Sequence, residues 1–73
     1  MNKLEAYLRE RYLETKWPYY TLNYVKYDIG ESFDSDAKEL RDKEMIQPTP
    51  GINGWLIEMI NIETNWKINT QNK

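Results

Sequence analysis

Residues 32–60, SFDSDAKELRDKEMIQPTPGINGWLIEMI, limit the possible folds more than any other stretch, because a helical period gives way directly to a hairpin period. Phe33, Ala37 and Leu40 recur at i, i+4 and i+7, one face of a helix that Ser32 or Asp34 is placed to cap and that should run to about Lys43. Met45 and Ile46 then open an extended run, and residues 48–54 are dense in turn formers. Asn53-Gly54 is the strongest turn signal, with Pro50-Gly51 as the alternative tip. Residues 55–60 supply a second strand rich in aromatic and β-branched side chains. Helix followed at once by hairpin commits the chain to an α+β fold.

Seventy-three residues make one small domain, and there is no Cys to staple it. The absence of His removes the commonest general base and metal ligand. Stability must therefore come from the core, for which three Trp, six Tyr and one Phe are the obvious material. No apolar run approaches the roughly 18 residues of a membrane span, and no signal-peptide pattern opens the chain. The expectation is a cytoplasmic protein that does not engage a membrane.

A first helix is expected over residues 4–15, with Asn2 as N-cap and Glu5 completing an approximate capping box. Leu4, Tyr7, Leu8, Arg11 and Tyr12 share its main face, and Ala6, Leu13 and Trp17 form a weaker opposite stripe. Pro18 ends it. Tyr19-Tyr20 reads as a short extended link and Thr21 as the cap of a second helix, whose buried stripe is Leu22, Val25 and Ile29. Gly30 should end that helix in the left-handed conformation. Leu22, Val25, Phe33, Leu40 and Ile46 are the expected core of this part. After Ile60 the alternation of Ile62, Thr64, Trp66 and Ile68 with polar residues reads as more strand, and residues 70–73 should fray.

Two helices joined by a Gly-containing turn form a helix-turn-helix unit. Ala37 and Leu40, then Met45-Ile46, resemble the end of a winged-helix recognition helix, where the family often reads Leu-x-x-Leu, a few polar residues, then Gly-Leu-Ile; Glu44 stands where the family prefers Gly. The resemblance covers residues 19–60. It implies an α+β winged helix-turn-helix domain: helix 1 in residues 1–16, the helix-turn-helix in 21–44, a β-hairpin wing in 45–60 and an extended tail in 61–73. It further implies a small transcription regulator of the kind found in phage and mobile elements, with helix 3 in the major groove of duplex DNA. Ser35 and Lys38 would then meet base edges, with Arg41 on the same helix and Lys43 and Lys26 on the backbone.

Charge points the other way. Residues 31–44 carry six acidic and three basic side chains, on the segment that would face phosphates, and the wing tip has no Lys or Arg. The alternative is a non-enzymatic protein-interaction module on the same scaffold, an inhibitor or assembly factor. Its candidate surface is Tyr24 and Tyr27, joined by Tyr19 or Tyr20, together with Leu13 and Trp17 on helix 1. Either helix 1 or the Trp66 tail covers these residues, or a partner does; pairing of two copies through helix 1 would hide Leu13 and Trp17. No catalytic group and no cofactor is expected. Asp28, Gly30, Ser32, Asp34, Asp36 and Glu39 have the spacing of a calcium loop, but Phe33 occupies the position that needs Gly, so no metal site is expected.

Overall fold

Asn2 starts the first helix. In the computed structural model, which describes residues 2–69, its backbone is extended (φ −88°, ψ 114°) and its side-chain oxygen accepts the Glu5 N–H at 2.8 Å. The Glu5 carboxylate does not reach back to complete the capping box; it pairs with Arg9 at 3.1 Å. The elements that follow are α1 (Lys3–Thr15), β1 (Tyr19–Thr21), α2 (Leu22–Ile29), α3 (Phe33–Asp42), β2 (Ile46–Gly51), β3 (Gly54–Met59) and α4 (Ile62–Asn65). The described residues thus form a mixed α+β fold of four helices and one antiparallel sheet of strand order β1-β3-β2. Residues 70–73, expected to fray, lie outside the described residues.

Leu4, Leu8 and Tyr12 turn the predicted face of α1 into the core, where Val25, Ile29, Phe33 and Leu40 meet them. Asn2 also ties α1 to α3: its amide donates to the Asp36 carbonyl at 3.1 Å and to the Glu39 carboxylate at 3.0 Å. Asp36 returns the contact by accepting the Leu4 N–H at 3.3 Å. Lys16, in the left-handed conformation, closes α1, and its N–H donates to the Tyr12 carbonyl.

Two expected helix ends differ in detail. Gly30 does take a positive φ, but at φ 90°, ψ −145° it lies outside the left-handed helical well, in a region only glycine enters freely. Neither Thr21 nor Ser32 caps its helix with a side chain; the Ser32 hydroxyl instead donates to the Asp36 carboxylate at 3.1 Å. The far end of α3 is a Schellman motif. Met45 N–H donates to the Leu40 carbonyl and Glu44 N–H to the Arg41 carbonyl, both at 2.9 Å, and the buried Leu40 and Met45 are its apolar pair. Glu44 therefore takes the left-handed conformation itself, at φ 59°.

Tyr19 and Tyr20 are more than a link, because β1 pairs with β3 in the register Tyr20 to Ile57. The hairpin turns at Ile52-Asn53 rather than at Asn53-Gly54 or Pro50-Gly51, with Gly51 and Gly54 as the closing pair. The positive φ falls on Gly54, and a Cβ on Gly51 would sit 2.8 Å from the Gly54 carbonyl oxygen. Met45 carbonyl accepts the Ile60 N–H, so odd-numbered residues of this strand bond to β3. Pro48 and Pro50 then direct their donor-less nitrogens to the open edge of the sheet.

The tail is not a strand. Asn61 turns left-handed at φ 52°, and residues 62–65 form the short helix α4. A strand past Ile60 would find no partner, since β2 is preceded by the end of α3 and β1 by the end of α1. The chain instead folds back so that Trp66, with no exposed surface, and Ile68 enter the core.

Candidate interaction surfaces

The cations expected to meet DNA are exposed but do not share one face. Lys38 and Arg41 line a shallow hollow with Asp34, Ala37 and Asp42, whereas Lys43 lies in a separate groove between α1 and α3 beside Glu10 and Leu13. Lys38 pairs with Asp42 and Lys43 with Glu39, each at 3.2 Å and one helical turn apart. Such exposed pairs add only about 0.3–0.5 kcal/mol to a helix, but they place an acid beside each lysine that phosphate would need. The Ser35 hydroxyl donates to the Ser32 carbonyl at 3.1 Å. Lys26 stands apart, in the last turn of α2. At the hairpin tip Ile52 is fully exposed, and no charged residue lies between Ile46 and Gly54.

The expected aromatic candidates are uncovered. Leu13 is 53%, Trp17 60%, Tyr24 74% and Tyr27 86% exposed, so among the described residues neither α1 nor the tail covers them. Trp66 cannot serve as a lid, because its indole N–H donates to the Met45 carbonyl at 2.9 Å while the Arg9 guanidinium lies 5.5 Å from its ring centre. The four candidates also divide. Trp17 and Tyr24 line one groove of about 500 Å³, Leu13 lines the α1–α3 groove, and Tyr27 lies outside both.

That aromatic groove is built by three elements and the link between two of them. α1 contributes Tyr7, Arg11 and Thr15, the link to β1 contributes Trp17, β1 contributes Tyr19 and Tyr20, and α2 contributes Tyr24. Pro18 and β1 fix the middle: Pro18 carbonyl accepts the Met59 N–H at 2.8 Å, which holds the aromatic run against the sheet. Trp17 and Tyr19 meet edge to face, ring centres 5.7 Å apart. Thr15 hydroxyl donates to the Arg11 carbonyl at 3.0 Å, so in its 2.9 Å contact with Tyr20 the phenol is the donor. Tyr7 hydroxyl donates to the Asp28 carboxylate at 2.8 Å, and the Arg11 guanidinium lies 5.6 Å from the Tyr7 ring centre. Burial, followed by the bond to Asp28, raises the Tyr7 pKa above the ordinary tyrosine value, which keeps it a neutral phenol.

Sequence reasoning placed Trp17 and Tyr24 in separate stripes and assigned Tyr7 to the core face of helix 1. The only signal joining them is aromatic density either side of Pro18, and the fold makes it one surface. Tyr24 hydroxyl and Trp17 indole N–H have no partner among the described residues. Among the described residues no group of three or more Asp, Glu, His or Cys is placed to hold a metal ion, and no helix is long and apolar enough to cross a membrane.

No known protein family, curated protein or solved structure matches the chain.

Proposed function

We propose that this chain is a non-enzymatic protein-interaction module built on a winged-helix scaffold, with the groove between α1, β1 and α2 as its contact surface. The observation that carries this reading is the division of chemistry over the surface. Lys38 and Lys43 are each paired with an acid of α3, and the hairpin carries no charged residue from Gln47 to Asn53. The aromatic groove, in contrast, offers open rings and unused donors. Aromatic side chains provide contact area at low cost in conformational entropy, which is why Tyr and Trp dominate interface hot spots. A cytoplasmic location goes with this reading, since a chain without Cys gains nothing from an oxidising compartment.

A second reading is a DNA-binding regulator, and the element order favours it. Three helices followed by a hairpin is the order that the family resemblance implies, and β1, paired with β3, is an addition to it. Arg41 and Lys26 would be its backbone contacts, having no carboxylate within ion-pair distance among the described residues. Titration with random-sequence duplex DNA at low and moderate salt separates the two. The interaction module should give no saturable binding even at low salt. Binding that falls steeply as salt rises would replace it with the DNA reading.

A further inference from the structure

We propose that the aromatic groove binds a polyproline II segment carrying a basic residue at one end. The inference rests on the interaction-module reading and names the partner for it. A polyproline II helix has three residues per turn and no internal hydrogen bonds, so it presents flat pyrrolidine rings and unpaired carbonyls. The groove answers both features. Trp17, Tyr19, Tyr20 and Tyr24 line its length, and Trp17 meets Tyr19 edge to face. The Trp17 indole N–H and the Tyr24 hydroxyl supply donors directed to no other group among the described residues. This is the way aromatic-lined grooves select proline-rich ligands in general: a stiff ligand loses little freedom when it docks.

Charge specifies the end of the ligand. The groove opens at Tyr7 and Arg11 into a second hollow of about 300 Å³ that Glu10 and Glu14 complete. Asp28 stands at the same place, holding the Tyr7 hydroxyl. Glu10 and Glu14 line this hollow and Asp28 adjoins it, three carboxylates against one guanidinium, and Arg11 is engaged by Glu14 at 3.3 Å. Lys16 is turned away, its ammonium donating to the Leu13 carbonyl. The excess is negative, so an Arg or Lys beside the proline segment is the complementary group. The chain's own Pro48 and Pro50 are exposed, but no Lys or Arg lies between Lys43 and Lys67 to accompany them. A second copy of the wing is therefore the poorer fit.

The test uses the full chain, a short synthetic oligoproline ending in arginine, the same peptide ending in glutamate, and a glycine-serine peptide ending in arginine. Backbone amide shifts of the protein report where each binds. The arginine-ended oligoproline should saturate in the range of about 10–500 μM, with shifts centred on Trp17, Tyr19, Tyr20 and Tyr24. Tyr24→Ala, at a site exposed enough to leave the fold intact by circular dichroism, should weaken it roughly tenfold. The double variant Glu10→Gln, Glu14→Gln should remove the preference for arginine over glutamate while leaving oligoproline binding in place. No saturation up to millimolar peptide, shifts outside the groove, or equal binding of the glycine-serine control would each overturn the proposal. Groove shifts that grow with protein concentration alone would overturn it in favour of a second copy. The duplex DNA titration judges the underlying reading separately: silent DNA with silent peptide removes only the proline ligand, whereas salt-sensitive DNA binding removes the interaction module.

Discussion

The indole N–H of Trp66 donates to the carbonyl of Met45 across 21 residues of sequence, in a fully buried contact. It fastens the chain after the hairpin to the junction between α3 and β2. Met45 carbonyl accepts the Ile60 N–H as well, so one backbone oxygen joins three segments. Trp66→Ala should cost about 3–5 kcal/mol, enough to unfold much of a domain of this size. Trp66→Phe keeps a ring and should lose mainly the hydrogen bond, about 0.5–1.5 kcal/mol. Urea unfolding of both variants tests the order, and a Trp66→Phe variant as stable as the unaltered chain would show that the bond to Met45 adds nothing.

Leu40 has no exposed surface and sits at the start of the Schellman turn, so Leu40→Ala removes core and helix end together. A loss of about 2–5 kcal/mol is expected. A thermal midpoint like that of the unaltered chain would contradict the packing of α3 given above.

Glu44 is a non-glycine residue held left-handed, which costs roughly 1 kcal/mol. Its neighbour in space does not depend on its side chain, since the Asn65 amide donates to the Glu44 carbonyl at 2.9 Å. Glu44→Gly should therefore stabilise the domain, by up to about 0.5 kcal/mol once the greater freedom of the unfolded glycine chain is counted. The denaturation midpoint should rise with no change in slope.

The Glu39 carboxyl is held below the ordinary glutamate value, first by the Asn2 amide and then by Lys43. A lowered folded-state pKa favours the fold above the unfolded-state value, and that contribution disappears as pH falls through the lowered, folded-state value. Asn2→Ala should move the Glu39 titration upward, toward that of an ordinary glutamate. Carboxyl carbon shifts followed through acid pH read it directly, and an unmoved Glu39 would assign the effect to Lys43 alone. The same variant also loses the cap of α1, worth about 1 kcal/mol.

Leu13 is half exposed in the single chain, so Leu13→Glu should leave the fold intact, within about 0.5 kcal/mol. Sedimentation of both forms tests self-association through α1: a dimer that Leu13→Glu converts to monomer would place a second copy on the α1–α3 groove.

Local chemistry was the legible part of this sequence. Asn2 as cap, Pro18 as stop and the i, i+4, i+7 stripe of α3 depend on neighbours within a few residues, and each stands where its pattern put it. The stretch from Ile62 to Ile68 was misread because two-residue alternation describes a strand only when a partner strand exists, and that depends on where α1 and α3 end. The groove was half legible. Trp17 and Tyr24 could be named as surface aromatics, but β1 joins them only after it has paired with β3, and that pairing spans more than half the chain.

One consequence of the proline-edged sheet concerns the route by which this protein could fail. Residues 55–60, WLIEMI, combine high strand propensity with a single charge, the composition of a cross-β seed. The native fold holds this segment between two strands, and the two prolines leave the outer strand without the donors an incoming chain would need. Protection is therefore a property of the folded state and is absent from the unfolded chain. Any substitution that lengthens the time spent unfolded should show itself first as insolubility, before it shows as lost binding.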